Sequence, residues 1–123
     1  MIHGFFGDED ELFFEIELLA TDGLELSVDA ILDTGFDRLL AINKQDLDAL
    51  GWVYVDQQTM RTAQGDSIFD IVLGKVRIDS NEFDIPVHVG PSFSEVLLGR
   101  QWLKTHRLMV DMSSSVLTCG RLI

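Results

Sequence analysis

An all-β fold with one or two short helices is predicted by three observations. Apolar and polar residues alternate with a period of two along much of the chain, as in Phe14-Glu15-Ile16-Glu17-Leu18. Turn residues recur between short apolar runs, at Thr21-Asp22-Gly23, Ala63-Gln64-Gly65-Asp66, Ser80-Asn81-Glu82 and Ser113-Ser114-Ser115. Helix signals are confined to two short stretches, one after Asn43 and one after Gly99.

Residues 1–11 are expected to be an acidic lead-in, with Asp8-Glu9-Asp10-Glu11 a solvated charge cluster. Leu12 to Leu19 is a half-buried strand, with Phe14, Ile16 and Leu18 facing one way and Glu15 and Glu17 the other. After a hairpin turn at Thr21-Asp22-Gly23, the return strand alternates Leu24, Leu26 and Val28 with Glu25, Ser27 and Asp29. Ala30-Ile31-Leu32 drops the alternation, so both of its faces should be buried, and it delivers Asp33 to a turn. Leu39 to Ile42 is a further strand; Asn43 then caps a helix from Lys44 to Leu50, which Gly51 stops. Val53 to Arg61 and Ser67 to Leu73 flank a glycine-containing hairpin tip, and Val76 to Asp79 and Phe83 to Val89 form a second pair closed by Pro91. A short helix over 100–106 keeps Trp102 and Leu103 inside, and Leu108 to Met112 and Val116 to Cys119 end the chain as strands. The result is two weakly similar halves, each a hairpin, an apolar strand ending in glycine, and a helix.

The length of 123 residues suits one domain spanning 1–123, and the 46% hydrophobic content suits a packed core. With 21 acidic against 9 basic residues the net charge is −12, which repels phosphate backbones and anionic membranes. Neither nucleic acid nor membrane is therefore expected as a partner. A dimer would carry twice that charge and would associate least readily at low salt. No apolar run approaches the roughly 18 residues of a membrane span, and Met1-Ile2-His3-Gly4 opens no signal sequence. The single Cys119 has no internal disulfide partner, and together these points place the chain in a reducing cytoplasm.

The triplet Asp33-Thr34-Gly35 carries the chemistry. A lone Asp-Thr-Gly is by itself a surface turn, but here it follows a run apolar on both faces, where an unpaired carboxylate is costly to bury. Peptide hydrolysis by carboxylates needs two of them about 3 Å apart sharing one proton, the ionised one activating water and the neutral one donating to the carbonyl. One such turn in a chain of this length is half a site. Glycine at Gly35 lets the backbone approach a symmetry mate closely, and the Thr34 hydroxyl is suited to cross-linking two such loops.

Ile31-Leu32-Asp33-Thr34-Gly35, the hairpin Thr62-Ala63-Gln64-Gly65-Asp66-Ser67, and Val96-Leu97-Leu98-Gly99-Arg100 before a helix together resemble the retropepsin-like aspartic proteases. The likeness spans about residues 12 to 120 and is greatest to the single-domain bacterial and archaeal members with Phe after the triplet. It implies a closed acid-protease barrel and a homodimeric aspartic endopeptidase acting on peptide or protein substrates without a metal or other cofactor. It also implies a site on the twofold axis and a glycine-tipped flap. Transferred by position, Asp33 is the catalytic acid/base, Thr34 the interlocking hydroxyl, and Gly35 the turn glycine beside the substrate backbone. Phe36, Asp37, Ala63, Gln64, Gly65 and Asp66 would contact substrate, with Gln64-Gly65 at the flap tip. Leu98, Gly99 and Arg100 would support the loop, Arg100 pairing with Asp37. Phe36 stands where retroviral relatives place Ala or Ser; it offers no hydroxyl to a carboxyl oxygen and would narrow the cleft, so a less acid pH optimum is expected. The terminal segments that knit retroviral dimers have no clear match here.

Other constellations lead elsewhere or nowhere. His3, His88 and His106 are scattered, without metal-ligand spacing. Cys119, Trp52 and Trp102 read as core residues, and Phe5-Phe6 and Phe13-Phe14 as strand packing. No phosphate loop or nucleophile elbow is present. The alternative to the protease is a non-proteolytic dimerisation or peptide-binding module on the same fold.

Overall fold

The computed structural model describes residues 1–62, 65–91 and 93–122. Its strands are β1 (Ile2–His3), β2 (Phe5–Phe6), β3 (Leu12–Leu19), β4 (Glu25–Asp33), β5 (Leu40–Asn43), β6 (Val53–Thr62), β7 (Gly65–Ile78), β8 (Asn81–Gly90), β9 (Val96–Gly99), β10 (His106–Asp111) and β11 (Val116–Arg121). Helix α1 (Lys44–Leu47) follows β5, and a 3-10 helix (Arg100–Lys104) follows β9.

Six strands close into a barrel in the order β3-β4-β9-β5-β8-β7, the β3–β7 pairing at Glu17↔Arg77 and Leu18↔Val76 completing the ring. β6 extends beyond the barrel as the outer arm of a long hairpin with β7. β1, β11 and β10 form a separate antiparallel sheet from the two ends of the chain. The barrel is all-β, as the alternation predicts. Phe14, Ile16 and Leu18 of β3 point inward and are each 1% exposed, while Glu15 stays exposed. Ala30 and Leu32 of β4, Leu40 and Ile42 of β5, and Val72, Val76 and Val87 complete the core.

Arg77 clasps the barrel seam from outside. Its guanidinium reaches Glu17 at 3.0 Å, Glu25 at 3.1 Å and Glu82 at 3.5 Å, tying β3, β4 and β8 to β7. The hydrogen bond and charge of Arg77 hold the Glu25 carboxyl below its ordinary range.

Four local expectations are corrected. The helix expected over 44–50 spans Lys44–Leu47 only; Asn43 caps it by accepting from the Gln45 N–H at 2.8 Å, but the chain turns at once so that Leu50 is fully buried and its carbonyl accepts from Thr21 N at 2.9 Å. The helix over 100–106 is 3-10 and ends at Lys104, because His106 already pairs with Arg121 as the first residue of β10. The runs expected to break after Leu73 are one strand: Gly74 pairs with Ile85, and any side chain there would strike Val87 and the Trp52 ring, so the glycine serves packing and not a turn. Finally, part of the 1–11 segment is built into sheets. Phe5 of β2 stacks on Phe13 with ring centroids 5.1 Å apart, and the terminal ammonium pairs with Asp79.

No helix among the described residues is long and apolar enough to cross a membrane.

Candidate active site

β4 and β9 run parallel with Leu32 beside Leu98 and Asp33 beside Gly99, so the two motif turns emerge next to each other at one end of the barrel. Leu32 and Leu98 are each 5% exposed, and their burial fixes where the turns start. At the first turn the Gly35 N–H donates to Asp33 Oδ1 at 2.8 Å and the Phe36 N–H to the Asp33 carbonyl at 3.1 Å. The carboxylate is thereby held at the mouth of the turn, half-buried.

The loop is bolted to the second turn by backbone bonds. Gly99 N donates to the Leu39 carbonyl at 2.9 Å and Arg100 N to the Phe36 carbonyl at 2.8 Å. Trp102 adds its indole N–H to the same Leu39 carbonyl at 2.7 Å. The Arg100 guanidinium donates to the Thr34 carbonyl at 3.3 Å. The expected Asp37–Arg100 ion pair does not form among the described residues; Asp37 lies 3.9 Å from Arg38 instead. Arg100 braces the loop, but through a backbone carbonyl.

In front of the loop lies an open cleft of about 490 Å³, lined by Asp33, Gly35, Phe36, Asp37 and Arg100 among the residues picked from sequence. Leu98 and Gly99 sit buried behind it, and Thr34 is exposed beside it. Gly65 and Asp66 lie at the end of the β6–β7 hairpin and do not line the cleft themselves, but Asp66 pairs at 3.7 Å with Arg61, which does. Ala63 and Gln64 lie outside the described residues.

Sequence reasoning missed Arg38, Thr59, Met60, Arg61, Phe69, Phe93 and Leu97, which also line the cleft. Thr59, Met60 and Arg61 come from β6, which overhangs the loop only through its long pairing with β7. Phe69 and Phe93 stack at 5.4 Å, and Phe36 approaches Phe93 at 6.4 Å, making one aromatic wall. Phe36 thus lines the cleft with its ring turned inward, 8% exposed and edge-on to His88 at 6.0 Å.

His88 is 3% exposed; Nε2 pairs with Gln58 Oε1 at 2.8 Å, and Nδ1 has no partner among the described residues. Burial, and then the positive charge of Arg38, push its pKa below the ordinary histidine value, with Asp37 opposing. His106, 4% exposed, is lowered mainly by burial, against the Trp102 carbonyl that favours its charged form. Unfolded imidazoles take up protons near pH 6.5, so the folded state loses stability as pH falls below about 6.5 and is insensitive to these groups above it. Replacing His88 by Gln is expected to flatten the decline of Tm between about pH 6.5 and 5, measured by thermal unfolding across a pH series; an unchanged slope would exclude His88 as a contributor.

No protein-family model matches this sequence, and neither does any curated protein. Solved structures do. A retropepsin-like aspartic protease from Rickettsia conorii is similar over 97% of this chain and 91% of its own, with a TM-score of 0.63 at 20% identity. EIAV protease complexed with the inhibitor HBY-793 is similar over 80% of this chain and 90% of its own, with a TM-score of 0.61 at 14% identity. Simian foamy virus (mac) protease covers 75% of this chain and 94% of its own, with a TM-score of 0.53 at 16% identity. The chain has the retropepsin-like fold.

Proposed function

We propose that the protein is a homodimeric aspartic endopeptidase in which two copies each supply one Asp33. The observation that carries this reading is the parallel β4–β9 pair. Its first strand ends in a carboxylate held by the Gly35 N–H, whereas its second ends in Gly99-Arg100 and offers no acid. In this reading the second carboxylate comes from the matching turn of another copy. The Thr34 hydroxyl is exposed and has no hydrogen-bond partner among the described residues, which suits a bond to the partner loop. Met109 and Val116 of the terminal sheet, 52% and 37% exposed, and Met1 just before it, 70% exposed, give a second copy an apolar surface to meet.

In the pair, two carboxyls this close hold one proton between them. The ionised member takes a proton from a water molecule as its oxygen attacks the peptide carbonyl, and the other gives its proton to the carbonyl oxygen. The tetrahedral diol then collapses, the C–N bond breaks, and a carboxyl proton passes to the departing amine. Phe36 and Asp37 flank the substrate, and the β6–β7 hairpin, with Gly65 and Asp66, acts as a flap. Leu98, Gly99 and Arg100 hold the loop.

A site shared by two chains disappears when they separate. Specific activity on a peptide library is expected to fall on dilution in step with the dimer fraction measured by sedimentation, and to recover on reconcentration. Moderate salt should strengthen the dimer by screening its charge. Activity that stays proportional to protein through a monomeric range would remove the shared site.

A further inference from the structure

Three of the nine basic residues in this acidic chain, Arg38, Arg61 and Arg100, line the cleft that holds Asp33. Among the residues lining it they face only two acids, Asp33 and Asp37. At the barrel seam, by contrast, Arg77 is taken up by three glutamates at 3.0, 3.1 and 3.5 Å. The cleft arginines are held less closely than that. Arg38 is half-buried, its Nε is shut off from water without a hydrogen-bond partner among the described residues, and its closest carboxylate oxygen is 3.9 Å away. Arg100 gives one N–H to the Thr34 carbonyl and meets no carboxylate among the described residues. Arg61 is 90% exposed and reaches Asp66 only at 3.7 Å.

On the footing of the endopeptidase reading, we propose that this cleft selects acidic peptides, with Arg38 as the main specificity-determining residue and Arg100 and Arg61 supporting it. A guanidinium presents a rigid fork that matches a carboxylate in two parallel hydrogen bonds, and the partial burial of Arg38 strengthens such a bond. The aromatic wall of Phe36, Phe69 and Phe93 beside it takes a bulky apolar side chain. The favoured substrate is therefore an extended segment with Asp or Glu within a few residues of a large apolar one. Three arginines against two acids also make the cleft less repellent to an acidic segment than the average of this strongly negative chain.

A mixed peptide library digested by the wild type, Arg38→Gln and Arg38→Glu tests this. The wild type is expected to cut near Asp or Glu, with kcat/KM for an acidic peptide about tenfold above that of its Asn/Gln counterpart. Arg38→Gln should erase that advantage, and Arg38→Glu should shift preference towards Lys and Arg. Cutting without acidic enrichment overturns the acidic preference and leaves the endopeptidase standing. If the wild type cuts nothing, the endopeptidase reading fails, and binding decides the cleft's preference. Labelled acidic and Asn/Gln peptides are then titrated by fluorescence anisotropy into Asp33→Asn, with and without Arg38→Gln. Tighter, salt-sensitive binding of the acidic peptide that Arg38→Gln abolishes supports the preference. Equal affinities overturn it.

Discussion

Asp33→Asn is expected to lower peptide hydrolysis by about a thousandfold or more while leaving the fold and the dimer in place. Asparagine keeps the shape and the oxygen that accepts the Gly35 N–H at 2.8 Å, so the turn has no reason to move. What it removes is the capacity to exchange a proton with water and with the substrate carbonyl. Thermal unfolding should shift by no more than about 1 kcal/mol, as for a substitution that empties no core volume and breaks no buried bond. A tethered dimer carrying Asp33→Asn in one half only should be nearly as inactive as one carrying it in both, because neither half works alone. Full turnover in Asp33→Asn would end the proposal, and inactivity of the wild type together with retained binding of a transition-state isostere peptide would favour the peptide-binding module.

Gly99→Ala is expected to be the most damaging single methyl in the loop region. Gly99 is buried at the end of β9, and a Cβ there would fall on the Arg38 carbonyl group and within 2.9 Å of the Phe36 carbonyl oxygen. Both obstacles are backbone, so no rotamer change relieves them. The loop would have to move away, weakening the Gly99–Leu39 and Arg100–Phe36 bonds that seat the Asp33 turn. A loss of about 3 kcal/mol or more follows, roughly 10 °C in Tm for a chain this size, read by calorimetry or denaturant unfolding. Activity should fall further than stability explains, because the carboxylate loses its mounting. A Tm within about 2 °C of the wild type would show that the loop yields freely.

The sequence was legible wherever a residue's fate depends on its neighbours. β3 lies over Leu12–Leu19 as the alternation predicts, because that strand buries one face only. Ala30 and Leu32 are buried, but Ile31 on the opposite face is only half-buried, so the run expected to be covered on both faces keeps one face partly open. Asn43 caps its helix because an Asx side chain reaches two residues forward whatever the tertiary context. Legibility failed where partners are distant. Gly74 looks like a break until Trp52 is folded against it. β1 and β2 are two residues each, too short to show any period, and exist only because β11 and β3 accept them. Arg38 and Arg61 belong to one cleft because β6 arches over the loop, which no local pattern announces. The Asp33 turn itself was recognisable from the triplet, but its attachment to Arg100 through the Thr34 carbonyl was not.

The parallel register of Asp33 with Gly99 has a bearing on how the molecule comes into being. Sixty-six positions separate Thr34 from the arginine that grips it, so this contact closes a long loop and carries a high entropic cost. A growing polypeptide that has made β4 has no β9 to rest it on, and its aspartate waits on an unsupported tether until the last quarter of the chain arrives. If the chain is the endopeptidase proposed above, an incomplete chain has no seated aspartate with which to cut.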